Sequence, residues 1–368
     1  MKINTAAFRL LLTLAPIALS LVITALLIIS IGQDPVAVFT AVWEGAFRNP
    51  AAFAGVVNFW IPLALCCMGL VVTFTAGLWN IGVEGQMMMG AIWASYAAQF
   101  VSLPQPLLIG MEIVLAMIGG ALWGLLIGLL KTRFKVNEIF GGVAMNGLAN
   151  IIAIHLVSGP WREAGSNALA TSPFPTESLL PPISNEFPVS LLTLVLAVVS
   201  IIGVTLALNS TRWGLQLRAA GKNPSSALLL GVPTEQVSLS AFMVCGALAG
   251  IAGAYRVLFT FGSLRPLVSG GIGFLALLVV LVVGTRPLWA PAVSLVFAAI
   301  LAGSTRLRVA LQLDQSIAGV LQGLTVLLVL MGNGLRARMT ERAGSDTPDV
   351  APVTTESPLK RTEAAAHE

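Results

Sequence analysis

Residues 188–209 read PVSLLTLVLAVVSIIGVTLALN, an uncharged run of 22 residues. A helix rises about 1.5 Å per residue and a bilayer core is roughly 30 Å thick, so such a run is long enough to cross a membrane. Working outward, apolar runs recur at 8–31, 55–76, 80–101, 107–130, 137–158, 236–261, 267–284, 288–305 and 313–334, giving ten candidate spans. The 368-residue chain is 57% hydrophobic and only 10% charged, against about 25% charged in soluble domains. It cannot cover a globule with polar surface. The expected fold is therefore all-α, a polytopic helical bundle of about ten transmembrane helices. Disordered, collagen-like and nucleic-acid-binding chains are excluded on the same grounds. The run 8–31 follows Lys2 and Arg9, but exceeds the roughly 7–15 apolar residues of a signal peptide and no A-x-A site follows it. It reads as a true first span.

An even number of spans puts both termini on one side. With the N-terminus inside, fourteen of the twenty basic residues fall in inner segments, and Arg48, Arg162, Arg265, Arg306 and Arg308 in outer ones; Arg256 lies within a span. The positive-inside rule then favours N-in, C-in, and one miscounted span would move Arg306 and Arg308 to the inner side. Residues 159–187 hold Pro160, Pro173, Pro175, Pro181 and Pro182, which break helix and strand alike, and read as an ordered outer loop. Residues 1–334 form the expected membrane domain. The segment 335–368, rich in Glu, Thr, Ala and Pro, is expected to be a disordered inner tail.

The inner loop 210–235 carries its own helix punctuation. Asn223 suits an N-cap, Pro224 the first helical position, and Gly231 the left-handed position after a C-terminus, with Pro233 closing the segment. About two turns of helix are marginal in water, so this one is either a capped surface turn or a helix held by a partner.

Three blocks then carry a resemblance. GLQLRAAGKNPSSA (214–227), followed by SAFMVCGALAGIAG (240–253), resembles the cytoplasmic loop and next span of the permease family of ribose, nucleoside and branched-chain amino acid ABC importers. AGLWNIGVEGQM (76–87) resembles the "GLFNIGVEGQ" signature of its nucleoside-type members, and GGALWGLLIGLLKTRFKVNEIFGGVAMNGLAN (119–150) their "GLLKA…VNEV…MLN" block. The likeness covers roughly residues 60–335. It implies a multi-pass permease subunit of a bacterial inner membrane that forms a substrate path with a second permease subunit. Cytoplasmic ATP-binding subunits would drive it, and an extracytoplasmic, lipid-anchored or soluble binding protein would deliver a nucleoside or a simple sugar. The 210–235 loop would couple to the ATPase through Arg218, Gly221, Asn223, Pro224, Ala227 and Gly231, with Ala227 expected to face the ATPase groove. The chain has no G-x-x-x-x-G-K-[ST] of its own. Nucleoside-type relatives commonly show "GFDGIAVALLG", where this chain reads GIGFLALL from Gly271 and lacks the aspartate; the resemblance implies the loss of a polar substrate contact there.

Polar residues inside apolar runs are the candidates for the path: Asn80, Glu84, Gln86, Asn146 and Asn150. Gly77, Gly82 and Gly85 weaken a regular helix around Glu84, so broken helices are expected near the path. A carboxylate at mid-bilayer costs about 2.5–3.5 kcal/mol on insertion scales, so Glu84 should face protein or water. It either lines the path or, with Asn80, caps a helix end and pins neighbouring spans. Asn146 and Asn150 share a helix face, available for an interhelical bond or for substrate. Glu138 is expected to favour a helix N-terminus, and Arg256 to snorkel outward. Gly120, Gly124 and Gly128, and separately Gly246 and Gly250, recur every four residues, the spacing of close helix approach in lipid. The strings GALWGLLIG and GALAGIAGA are alike, through either duplication or small-residue packing. Cys66, Cys67 and Cys245 sit in apolar runs and read as packing residues. No catalytic constellation, metal-ligand spacing or cofactor motif is found; His155 is read as interfacial. A secondary transporter is the alternative class, but it would carry ionisable residues in several spans, and Glu84 and Arg256 stand nearly alone.

Overall fold

The computed structural model describes residues 5–163, 165, 167–314 and 316–345. In chain order the helices are α1 (Thr5–Ser30), α2 (Pro35–Phe47), α3 (Pro50–Thr75), α4 (Val83–Phe100), α5 (Gln105–Thr132), α6 (Glu138–Ser158), α7 (Leu191–Ser210), α8 (Arg212–Lys222), α9 (Pro224–Leu229), α10 (Thr234–Tyr255), α11 (Ile272–Val283), α12 (Trp289–Leu311) and α13 (Ser316–Ser345). A π-helical turn, Arg256–Phe261, prolongs α10. Among the described residues no strand forms beyond one isolated bridge, Pro182 to Ser190.

Among the described residues six helices are long and apolar enough to cross a membrane: α3, α5, α6, α7, α10 with its π turn, and α12. The other four expected spans depart from this pattern, each for a local reason. The run 8–31 ends at Gly32, in the left-handed region at φ +78°, and Asp34 caps α2, so the chain bends by 112° into a helix that hydropathy alone had not suggested. The run 80–101 is irregular through 76–82, where Gly77 has φ +71°, and becomes helical only at Val83. The run 267–284 yields only the twelve residues of α11, because Gly270 and Gly271 both take positive φ. At the far end α13 passes the expected boundary at 334, since residues 335–343 (LRARMTERA) lack Gly and Pro and suit a helix. The rest of the expected tail, 346–368, lies outside the described residues.

The core gathers around α3, whose residues from Ile61 to Thr73 are all buried, and around α10. The two glycine stripes turn out to be the two sides of one antiparallel interface between α5 and α10. A Cβ on Gly120 would overlap the Gly246 carbonyl oxygen, one on Gly124 the Phe242 carbonyl, and one on Gly250 the Ala116 carbonyl. In lipid, where apolar surface gains little by association, such backbone contact is what holds helices together. The strings GALWGLLIG and GALAGIAGA both contribute glycines to this contact. Gly246→Leu is expected to abolish recovery of monodisperse protein from membranes, since overpacking a tight interface costs about 1–3 kcal/mol or more. Gly203→Leu, at a position with nothing within 4 Å of an added Cβ, should behave like the unaltered chain in size-exclusion chromatography.

Candidate functional site

The bundle has two recognisable ends. At one, the loop 159–187 lies over the π turn, with the Thr171, Phe174 and Leu180 amides donating to the carbonyls of Leu264, Gly262 and Leu258. At the other, α8 packs against the end of α3: a Cβ on Gly221 would overlap the Thr75 carbonyl oxygen. From each end one irregular segment enters the bundle, and the two meet at Glu84.

The first is 76–82. Asn80 and Gln86, both fully buried, exchange amide hydrogen bonds of 3.2 and 3.3 Å, and Asn80 Nδ2 also approaches Cys245 Sγ, midway along α10, at 3.1 Å. Asn146 of α6 saturates two backbone groups that the break leaves unpaired. Its Nδ2 donates to Ile81 O at 2.9 Å and its Oδ1 accepts from Gly85 N at 2.7 Å.

The second is 262–271. Leaving the loop end, it is held in turn by Thr171 Oγ1, accepting from Leu264 N at 3.1 Å, by Arg256 Nε, donating to Val268 O at 3.0 Å, and by Asn150 Oδ1, accepting from Leu267 N at 3.1 Å. Asn150 lies one turn from Asn146, about 6 Å along α6, so the segment descends towards the first break. It ends on Glu84, whose Oε1 accepts from Gly271 N at 2.8 Å and whose Oε2 accepts from Gly273 N at 2.7 Å. The carboxylate thus closes the N-terminus of α11 while sitting in the first turn of α4. Both helix dipoles favour a negative charge there, and its own hydrogen bonds repay part of its desolvation.

All five path candidates therefore fall in one cluster, and each spends hydrogen bonds on backbone or on another amide. Two buried ionisable residues, one at this cluster and one towards the loop end, differ from the sequence reading. Arg256 does not snorkel: it is 7% exposed, bonded to Val268 and stacked 4.5 Å from the Phe261 ring centroid, because the carbonyl and ring supply inside the bundle what water would supply outside. The sign of this in the sequence was an arginine inside an apolar run shortly before the helix-breaking Gly270–Gly271. Glu112 of α5 is fully buried beside Ser178 in the short 3-10 turn Thr176–Ser178; an acid in an otherwise apolar run should have drawn notice, and Glu84 and Arg256 are not nearly alone.

The residues assigned to coupling divide in two. Asn223 caps α9, its Oδ1 accepting from Ser226 N at 3.0 Å, Pro224 occupies the first position, and Gly231 takes φ +82°. Arg218, however, ties down the end of α7 through Leu208 O and Asn209 Oδ1, and Gly221 packs on α3. Ala227 is 2% exposed and faces its own chain, which corrects the expectation that it meets a partner. At about 100° per residue, Leu229 lies on the opposite face of α9 and is 89% exposed, and Leu230, which follows the helix end, is 84% exposed. Beside α9 lies a cavity of about 900 Å³ bounded by Gly77, Lys131, Glu138, Gly221 and Leu228, with the ion pairs Lys131–Glu138 and Arg133–Glu235 near its rim. Glu138 does open α6 beside its cap Asn137, and it also carries the first of these pairs. Cys66, Cys67 and Cys245 are buried and unbridged, and His155 is exposed.

Comparison with known proteins follows this geometry closely in extent. Residues 52–330 match the family described as "Branched-chain amino acid transport system / permease component". The chain is similar to the glucose ABC transporter permease of Haloferax volcanii, at 24% identity over 89% of this chain and 90% of the relative. It is also similar to the guanosine ABC transporter permease of Bacillus subtilis, at 28% over 81% and 85%. The nucleoside ABC transporter permease of Lactococcus lactis is similar at 23% over 81% and 83%.

Proposed function

The chain belongs to the branched-chain amino acid transport system permease family, and on that premise we propose that it forms the translocation path of an ATP-binding-cassette importer for a neutral, hydrogen-bonding solute, a nucleoside first and a simple sugar second. The observation that carries this reading is the meeting of two irregular segments at Glu84. Irregular backbone within a membrane bundle is tolerated where it is buried in protein or lines a cavity, and discontinuous helices with paired polar groups are how transporters build such places. Glu84 is committed to the α11 amides and Arg256 to the Val268 carbonyl, so neither is left to hold a charged cargo. This favours an uncharged one, in keeping with the guanosine, nucleoside and glucose permeases that resemble the chain.

In this reading ten crossings arise from the six long helices together with α1, α4 with its break, 262–271 with α11, and α13; α2 turns back without crossing. Both termini and the α8–α9 end face the cytoplasm, the 159–187 loop faces an extracytoplasmic binding protein, and the membrane is the bacterial inner membrane. A second permease subunit completes the path, and cytoplasmic ATP-binding subunits dock at α9. A secondary transporter is disfavoured by the family match over residues 52–330 and by the likeness to ABC transporter permeases.

The test is reconstitution. The purified chain alone should hydrolyse no ATP. With an ATP-binding subunit, a second permease and a binding protein in proteoliposomes, it should take up labelled guanosine or uridine in an ATP-dependent manner, with glucose as the competing cargo. Hydrolysis by the chain alone, or uptake driven by an ion gradient without ATP, would sink the assignment.

A further inference from the structure

We infer that Arg256 is a positioning residue for transport: with Asn150 it hangs residues 262–271 across the path as a movable plug. The inference rests on reading the Glu84 meeting point as part of the path. Non-helical backbone inside an apolar bundle must find partners for its amides and carbonyls, and this segment takes them from side chains on four separate elements: Thr171 of the loop, Arg256 of the π turn, Asn150 of α6 and Glu84 of α4. Releasing its lower part, residues 265–271, breaks a few side-chain bonds and leaves every helix intact, while Gly262 and Leu264 stay tied to the loop through the Phe174 and Thr171 amides.

The backbone between those bonds is held away from its resting preference. Leu267 has φ +53°, a left-handed conformation that a branched side chain rarely adopts, and its side chain is 66% exposed. The amide of Leu267 is fixed by Asn150, its carbonyl accepts from Gly270 N at 2.9 Å, and the carbonyl of the following residue, Val268 O, is held by Arg256, so the strained turn is anchored to the bundle by these two side chains. Arg256 is the stronger of these, a buried charged donor. Its other contacts point the same way. The Phe261 ring lies between Arg256, at 4.5 Å, and Arg265 of the segment itself, at 4.3 Å, and a Cβ on Gly270 would come within 3.2 Å of Arg256 Nη2. Strain that two side chains hold in place favours a second arrangement when they let go, which is what a plug that must open once per transport cycle requires.

Arg256→Gln, assayed in the full importer in proteoliposomes, should raise ATP-independent leak of labelled nucleoside about tenfold, the change expected on losing one charge-assisted bond, and should leave ATP hydrolysis running without matching uptake. Arg256→Lys, which keeps charge and donor, should restore most of the coupling. A residue that only stabilised the fold would lower the amount of assembled protein and change neither leak nor coupling. Independently, Asn150→Cys with Leu267→Cys, joined by a short reducible bis-thiosulfonate, should block uptake and recover it on reduction; the three native cysteines are buried. Tight, fully coupled transport by Arg256→Gln, or normal uptake by the bridged double variant, overturns the plug. Should Arg256→Gln fail to insert, the bridged variant decides alone. Absence of ATP-driven uptake by the unaltered importer would instead overturn the reading of the path.

Discussion

Glu84→Leu should abolish ATP-driven uptake in proteoliposomes, while Glu84→Gln keeps a reduced but measurable rate. The carboxylate accepts one hydrogen bond on each oxygen, from Gly271 and Gly273. Glutamine retains one acceptor oxygen and turns an NH2 towards the other amide, so one bond survives and one becomes a clash of donors. Leucine leaves both amides without a partner, and an unsatisfied buried donor costs about 1–3 kcal/mol each. With one bond gone, a rate loss of about tenfold to a hundredfold is the scale to expect. With both gone, the start of α11 should detach from α4. The same contact can be attacked from the other side. A Cβ on Gly273 would collide with the Glu84 carboxylate and backbone, so Gly273→Ala should resemble Glu84→Leu without removing any charge. If both Glu84 variants transport normally, neither lining the path nor pinning α11 is a role this residue has.

These contacts mark the boundary of what the sequence disclosed. The apolar runs, the glycine stripes of α5 and α10 and the Asn223–Gly231 punctuation act over one helix or one pair of like faces, so their period and spacing are readable directly. The partners of Glu84 lie nearly two hundred positions along the chain, and nothing in the local pattern at either place names the other. Breaks were legible in part. Gly77, Gly82 and Gly85 mark a weakened helix around Glu84, but residues 267–284 are apolar enough to read as a whole span, and only the positive φ of Gly270 and Gly271 shows that the chain turns there instead of continuing. Polar residues were legible as candidates, but which backbone group each serves was not. Asn146 could have met substrate or a neighbouring helix by its sequence; in the fold both ends of its amide are taken by Ile81 and Gly85. Ala227 failed for a different reason. A two-turn helix has no repeat long enough to reveal which face is buried, and an alanine is at home on either.

That ambiguity, now removed, sharpens the test of α9. Leu229→Glu should lose co-purification of the ATP-binding subunit and, with it, uptake, while the permease itself inserts and elutes as before. The side chain is 89% exposed, so the change costs the isolated chain little. In a helix-in-groove contact it puts a charge where an apolar anchor belongs. Anchors of this kind contribute about 2–4 kcal/mol, a loss of roughly thirtyfold to a thousandfold in affinity. Ala227→Glu should fail in the opposite order. Its carboxylate would be driven into the buried side of α9, at a cost of several kcal/mol, so the α8–α9 end should loosen first. Protease sensitivity of the 210–235 loop in the isolated chain distinguishes the two: raised in Ala227→Glu, unchanged in Leu229→Glu. Undiminished co-purification and uptake with Leu229→Glu would show that the exposed leucines are a solvated turn and that coupling enters elsewhere, with the cavity bounded by Lys131, Glu138 and Gly221 as the next surface to probe.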